Sequence, residues 1–339
     1  MAMKSPLPVR DGVNATRLRL PREGWDTVMD YVLHRFGHVD PDGIARRFAE
    51  GEVVGLGGEP ITPRTPLGRH EFLWYYRDLP GEEPIPVTET VLHQDDHLLV
   101  VDKPHFLPTT PGGRFVQESA LVRLRNRLGL PELVPMHRLD RATAGVILFS
   151  TNPATRGAYQ TLFERRQIHK EYEAVSALPG PGAPPPPAWP GSVVLPRDPH
   201  DAAAVPGLPA HLRFPLVYRN RMTKVKGTLR AIVEDGEANA ETLVEPLRTG
   251  VSRGTHAGTG VVHFRLRPHT GKTHQLRVHL AALGLGILND PFYPVLLDQA
   301  PDDHERPLQL LARSIAFTDP LTGRPARFAS RLRLRESPL

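Results

Sequence analysis

Three stretches of the chain gather side chains able to carry chemistry. The first is Met136-His137-Arg138-Leu139-Asp140-Arg141-Ala142-Thr143-Ala144-Gly145, which crowds ionisable groups directly ahead of the apolar run at 145–149. Charges at such a junction sit at the mouth of a fold or are paired with one another. Asp140 stands between Arg138 and Arg141, and nearby positive charge favours the ionised carboxylate. An ionised carboxylate suits nucleophilic attack or stabilisation of a cation better than proton donation. A loop whose Arg and Asp side chains form a surface ion pair would use the same residues without any chemistry.

The second stretch, Arg267-Pro268-His269-Thr270-Gly271-Lys272-Thr273-His274-Gln275-Leu276-Arg277-Val278-His279-Leu280, leaves an alternating strand, turns through Pro268 and Gly271, and is predicted to open a helix capped by Thr273. On that helix Leu276, Leu280 and Leu283 form an apolar face, while His274 and Arg277 share another. Free backbone N–H groups at the helix start, with Lys272 and Arg277, would attract a phosphate. Gly271-Lys272-Thr273 imitates the end of a nucleotide-binding P-loop, but that motif needs a glycine where Leu266 stands, so the NTPase reading fails. His269, His274 and His279 are spaced by five, which does not align them on one helix face, and no metal site is expected. An amphipathic helix with solvated basic residues is the plainer account of the stretch. The third stretch, Gln167-Ile168-His169-Lys170-Glu171-Tyr172-Glu173-Ala174-Val175, is a predicted strand after a helix that ends at Arg165-Arg166. Tyr172 could stack on a nucleobase while Lys170 and the two arginines contact phosphates; simple burial of its ring is the alternative.

The elements that must position these groups are partly legible. Leu98-Leu99-Val100-Val101-Asp102-Lys103-Pro104 reads as a buried strand stopped by proline, and 145–149 as another. Leu121, Leu124 and Leu128 recur at helical spacing, and a further helix over 153–166 is expected to start from Asn152 as cap with Pro153 in first position. In 261–267, Val262, Phe264 and Leu266 alternate with His263, Arg265 and Arg267, the period of a half-exposed strand. Residues 1–86 carry helix-like stretches near 24–34 and 43–50 and an aromatic strand over 71–76, a small α+β appendage ending in the linker Pro80-Gly81-Glu82-Glu83-Pro84-Ile85-Pro86. The proline-rich segment 179–209 is read as a stiff surface insertion outside the core. Helices and strands in irregular order favour α+β over a doubly wound parallel sheet.

Composition narrows the chemistry further. The 339 residues include no cysteine, which excludes disulfides, thiol nucleophiles and thiolate zinc sites. The length favours two domains, or one large domain with an appendage. Proline, at 37 residues, has about twice its usual share, so long rigid connections are expected. The net charge of +5 hints at a polyanionic partner without requiring one. Only Lys4, Lys103, Lys170, Lys224, Lys226 and Lys272 among the 42 basic residues are lysine. A bias towards arginine over a whole chain reflects base composition more readily than phosphate binding. No run approaches the roughly 18 apolar residues of a membrane span, and 1–21 lacks the apolar core of a signal peptide. A cytoplasmic protein without membrane contact is therefore expected.

The order of the motifs is more specific than any one of them. Asp102-Lys103-Pro104, His137-Arg138-Leu139-Asp140, Lys170-Glu171-Tyr172, His274-Gln275-Leu276-Arg277-Val278-His279 and Asp290-Pro291-Phe292-Tyr293 together resemble the RluA family of RNA pseudouridine synthases, over about 91–328. Ala144 stands where a serine is common, Asn289 where a glycine commonly precedes the aspartate, and Leu285-Gly286 where His-Pro is frequent. None of these changes removes a catalytic group.

The resemblance implies an α+β pseudouridine synthase fold over 87–339: a mixed, mostly antiparallel sheet with a central RNA-binding cleft. In residues 1–86, Glu50-Gly51-Glu52-Val53-Val54 and Gly58-Glu59-Pro60-Ile61 are similar to part of the small RNA-binding domain that often precedes this catalytic domain. The expected reaction is isomerisation of specific uridines to pseudouridine in structured RNA, ribosomal or transfer RNA. Asp140 would be the essential catalyst, promoting cleavage of the N-glycosidic bond so that uracil rotates and rejoins the ribose through carbon. Arg277 would pair with Asp140, Tyr172 would pack on the target base, and Arg138 would fill the vacated space. Lys170, Lys272, His274, Arg165 and Arg166 would contact RNA. No cofactor or metal is implied, because the reaction has no net redox change, and a monomer is expected. Extracting a base from its stack costs a few kcal/mol, which phosphate contacts on the cleft rim can offset. The alternative is a non-catalytic RNA-binding or ribosome-assembly protein on the same fold, which has no need of Asp140 beside phosphate-binding arginines. A glycosidase would want a second acid nearby, and none stands beside Asp140 in the local sequence.

Overall fold

The computed structural model describes residues 5–77, 81–180, 186, 189–225, 227–297 and 301–338. The chain divides into two units, Met1–Pro84 with Pro111–Pro131, and Ile85–Thr110 with Glu132–Leu339. In the first unit, β1 (Thr16–Arg19) pairs antiparallel with β2 (Phe72–Tyr75). Helix α1 (Val28–Phe36) starts from a capping box, in which Asp30 N–H donates to Thr27 Oγ1 and Thr27 N–H to Asp30 Oδ2, both at 3.1 Å. Helix α2 (Pro41–Ala49) starts from Asp40, which accepts the Gly43 N–H, with proline in the first turn where its missing N–H costs nothing. Val28, Val32, Phe48, Ile61 and Leu73 close the core between these elements. Helix α3 (Ala120–Leu128) buries Leu121 and Leu124 and ends at the left-handed Gly129. Glu82, within the expected linker, accepts the backbone N–H groups of Val116, Gln117 and Glu118 just before that helix.

The second unit is built on one sheet. In chain order its strands are β3 (Thr90–Gln94), β4 (Leu98–Lys103), β5 (Val134–Pro135), β6 (Ala144–Ser150), β7 (His169–Ala177) and β8 (Val193–Pro196). They continue with β9 (Leu216–Thr223), β10 (Ile232–Glu234), β11 (Ala240–Val251), β12 (Gly260–Pro268), β13 (Leu310–Thr318) and β14 (Pro325–Ala329). The spatial order is β10-β9-β11-β12-β7-β13-β6-β4-β3, with β14 on β13, β5 on β6 and β8 on β9. Among the described residues the pairings are antiparallel except that of β6 with β13, which is parallel at Ala144/Leu311 and Gly145/Ala312. The backbones approach closely there. A Cβ on Gly145, whose φ is 115°, would lie 2.2 Å from Ala312 O, so only glycine fits five residues after Asp140.

Each half of the sheet carries a helix. Helix α4 (Arg156–Glu164) packs Tyr159 and Leu162 on Leu98, Val146 and Ile315. Helix α5 (Gln275–Ala282) packs Leu276 and Leu280, with Leu283 beyond its end, on Leu216, Val244 and Phe264. The apolar and alternating runs in the sequence became β4, β6 and β12, as fully or half-buried strands require, and the strand expected over 167–175 became β7.

Several expectations need correction. Helix α4 starts later than Pro153: Asn152 Oδ1 accepts the Ala154 N–H in a preceding turn, and Thr155 takes the cap position. Thr273 does not cap α5; the left-handed His274, at φ 59°, holds that place. Nor is α5 a solvated amphipathic helix, because Gln275, Arg277 and His279 are buried along with its apolar residues. Buried polar groups need partners, and these have them. Gln275 Nε2 donates to Glu241 O and Thr242 Oγ1, and His279 bonds Thr242 Oγ1 and Asn220 Oδ1. The proline-rich insertion is tied to the sheet, since β8 pairs along β9 and Leu208 joins the core with Leu212 and Phe214. Of Pro184–Pro187, only Pro186 lies among the described residues.

An acid-sensitive contact joins three neighbouring strands. Arg313 on β13 donates to both oxygens of Glu173 on β7, at 2.9 and 2.8 Å, and His263 Nε2 on β12 lies 3.3 Å from the same carboxylate. Burial acts to raise the Glu173 pKa, but the neighbouring His263 and the hydrogen bonds from Arg313 outweigh it and hold the carboxyl at about 2. A depressed native pKa gives stability that is complete above the unfolded value and is lost as pH falls towards the native one. Glu173→Gln is therefore expected to flatten the fall in unfolding free energy between about pH 4.5 and pH 2. Urea titrations at stepped pH check this, and a slope equal to the parent's contradicts it.

Candidate active site

The loop between β5 and β6 is held from beneath. Thr109 Oγ1 donates to Leu139 O (2.9 Å) and accepts from Leu139 N–H (3.2 Å), and Thr143 N–H closes a turn on Asp140 O at 3.0 Å. Lys103, at the end of β4, is fully buried, and its Nζ donates to Pro104 O, Leu107 O and Arg141 O at 2.9, 2.8 and 3.3 Å. Three carbonyls match the three protons of an ammonium group. Burial nevertheless pushes Lys103 down to about 7, against the raising effect of Asp140. His105 Nδ1 bonds Ala142 O at 2.7 Å, and burial pushes its ring down to about 4. Lys103 thus ties the aspartate loop to the end of β4, a role that no spacing in the sequence revealed, while Asp102 accepts from Ser330 Oγ and Arg331 N–H. His137 is neutral as well, driven to about 3 by burial; its Nε2 accepts the Leu148 N–H and its ring stacks on Phe163.

Asp140 lines a cleft of about 790 Å³. Its Oδ2 lies 3.7 Å from Arg277 Nη1 and 3.8 Å from His274 Nε2. Arg141, expected to flank the carboxylate, turns to Asp302 instead, with a bidentate pair at 2.6 and 2.5 Å and a further bond to Phe106 O. Arg277 is the residue that brings positive charge to Asp140, but its full partner is another acid. Nε and Nη2 grip Asp290 at 2.8 and 2.5 Å, with both side chains almost wholly buried, and this leaves Nη1 directed at Asp140. Asp290 is set in turn by the N–H groups of Phe292 and Tyr293, whose rings lie under the guanidinium at 4.8 and 5.6 Å. Burial opposes the charge on Arg277, yet Asp290 and then Asp140 raise its pKa above the usual arginine value.

Asn289 takes the left-handed φ of 61° that a glycine would adopt easily, and its side chain bonds His256 and Pro307 O. Asparagine is among the few residues that tolerate this conformation, so the departure from the common motif leaves the loop intact.

Tyr172, on β7, lines the cleft as a phenol, since burial and then the charge of Asp140 raise its pKa. Lys170 beside it, with its pKa lowered by burial, lines the wall together with Arg138, Arg166, Lys272 and His274. Arg165 does not; it is the exposed residue that ends α4. His274 is only 9% exposed at its side chain, and burial leads a balance that pushes it down to about 4, so it is no phosphate-binding cation. Arg221, Glu237 and Asn239 also line the cleft. They lie outside every motif: Arg221 is on β9 opposite Glu234 of β10, and Glu237 and Asn239 lie in the connection from β10 to β11.

The family described as RNA pseudouridylate synthase matches residues 97–282, more than half of the chain, including the Asp140 loop, β7 and α5. The dual-specificity RNA pseudouridine synthase RluA of Escherichia coli is 30% identical over 251 residues, which cover 74% of this chain and 94% of that protein. The chain is an RluA-type member of the RNA pseudouridylate synthase family. Members of this family are isomerases that convert uridine to pseudouridine in RNA, and the present enzyme shares that activity. An uncharacterised RNA pseudouridine synthase of Synechocystis is 26% identical over 78% of this chain and 79% of its own length. The mouse pseudouridylate synthase RPUSD2 is 30% identical over 61% of this chain, which spans only 31% of that longer protein. The solved structure of human RNA pseudouridylate synthase domain containing 4 superposes with a TM-score of 0.44 at 25% identity, covering 72% of this chain and 88% of that one. Among the described residues no group of three acidic or His side chains is placed to hold a metal ion, and no helix is long and apolar enough to cross a membrane.

Proposed function

We propose that the enzyme acts as a cytoplasmic monomer on specific uridines of structured ribosomal or transfer RNA, with Asp140 as its catalyst and residues 87–339 as the catalytic domain. The observation that carries this reading is the Asp140 carboxylate in the cleft, whose Oδ2 faces Arg277 and His274. Two groups on one oxygen orient the carboxylate and leave Oδ1 to meet the ribose. In the isomerisation the N1–C1′ bond breaks and a C5–C1′ bond forms; the C5 proton leaves and N1 gains one. Asp140 promotes the first step, by attack at C1′ or by removing a sugar proton. A fixed anion beside a ribose that loses electron density stabilises it without reorganisation at the moment of reaction.

Tyr172 packs against the target uracil, and Arg138 fills the space the base vacates. Lys170, Lys272 and Arg166 contact phosphates, with Arg165 further out on the same approach. Residues 1–86 are assigned as a degenerate RNA-binding appendage. Pseudouridine mapping in total RNA from cells with and without this enzyme tests the reading. One or a few enzyme-dependent sites in ribosomal or transfer RNA are expected, and a map without any such site contradicts it.

A further inference from the structure

His274 faces Asp140 Oδ2 in the cleft, and burial and neutrality remove it from phosphate binding. Its surroundings fix which nitrogen carries the proton. Tyr293 is 2% exposed, and its hydroxyl has two hydrogen-bond partners among the described residues. It accepts from Ala231 N–H at 2.7 Å and lies 3.1 Å from His274 Nδ1. A buried hydroxyl proton needs an acceptor, and Nδ1 can accept it only as a bare nitrogen. In a neutral imidazole the proton then resides on Nε2. Nε2 is the nitrogen that faces Asp140 Oδ2 at 3.8 Å. The opposite tautomer would set a nitrogen lone pair against the carboxylate and strand the tyrosine proton, so two separate contacts select the same form.

The chain is braced at its far end. Arg230, next to Ala231, lies over the Tyr293 ring at 4.8 Å and donates to Pro294 O. The charged groups acting on His274 are Asp140, Arg277, Asp290 and Lys224; burial outweighs the two carboxylates and keeps the ring neutral at physiological pH.

We propose that His274 is a positioning residue that donates its Nε2–H to Asp140 Oδ2 during turnover, its tautomer set by the Tyr293 hydroxyl. The proposal rests on the assignment of Asp140 as catalyst. The 3.8 Å separation is a long approach, of the kind that tightens when substrate closes a site. Arg277 supplies the charge at that oxygen, and His274 supplies the second direction that fixes the carboxylate plane.

Nitrogen-15 NMR of histidine-labelled full-length protein at pH 7 reads the tautomer directly, with the His274 signals identified by their loss in His274→Gln. The expected form carries the proton on Nε2 in the parent and is a mixture in Tyr293→Phe. Single-turnover rates are measured beside it. His274→Leu should be slower by about 100-fold. His274→Gln, whose amide N–H can reach about the place of Nε2–H, should stay within about tenfold of the parent. RNA Kd should be unchanged in both. A parent proton on Nδ1, a leucine variant as fast as the parent, or a glutamine variant as slow as the leucine one would overturn the proposal. A parent that makes no pseudouridine from any RNA would refute the assigned reaction, while the NMR result would still decide for or against the hydrogen-bond chain.

Discussion

Arg277→Met is expected to destabilise the folded protein by about 3–5 kcal/mol, the usual cost of leaving one member of a buried ion pair without its partner. Asp290 is the residue left behind. Its side chain is 1% exposed, and after the substitution only the two backbone N–H groups of Phe292 and Tyr293 would face its charge. The same change removes Nη1 from Asp140, and loss of a preorganised donor at a reacting group lowers turnover by about 10²–10³-fold. The two effects are separable. In Arg277→Met/Asp290→Asn no charge is stranded, so much of the stability should return while turnover stays low. Urea unfolding and single-turnover assays on both variants check this. A single variant as stable as the parent, or a double variant that recovers turnover, contradicts the dual role of Arg277.

How much of this arrangement could be read beforehand depended on the distance over which each group finds its partner. Apolar runs and two-residue alternation are local, and β4, β6 and β12 followed them. Cap chemistry is local too, but it misled at α5, where Thr273 has the right type and His274 the position. That helix looked amphipathic because Gln275, Arg277 and His279 are polar; they are buried because Thr242, Asn220 and Asp290 wait for them in other elements. The expected pairing of Arg141 with its neighbour failed for the same reason, since its acid is Asp302, 161 positions away in sequence. The motifs marked Lys103 and Asp290 as notable without showing that one clamps the Asp140 loop and the other holds Arg277. Arg221, Glu237 and Asn239 left no local signal at all, because a strand edge becomes a cleft wall only once the sheet has formed.

The catalytic role of Asp140 is tested most directly by Asp140→Asn, which preserves volume and removes the charge. On the proposed reading, RNA affinity is expected to come mainly from phosphate contacts made by basic groups such as Arg138, Arg166 and Lys272, and to fall steeply with salt. One carboxylate in the cleft adds repulsion rather than attraction, so the variant should bind substrate RNA as well as the parent, or slightly better. It should form no detectable pseudouridine, because an amide can neither attack the ribose nor stabilise it as an anion does. Filter retention for binding and carbodiimide primer-extension stops for product, read on one preparation, give both answers. Undiminished binding with no product is the predicted result; conversion of uridine by Asp140→Asn at a rate comparable to the parent's would show that Asp140 is not the catalyst.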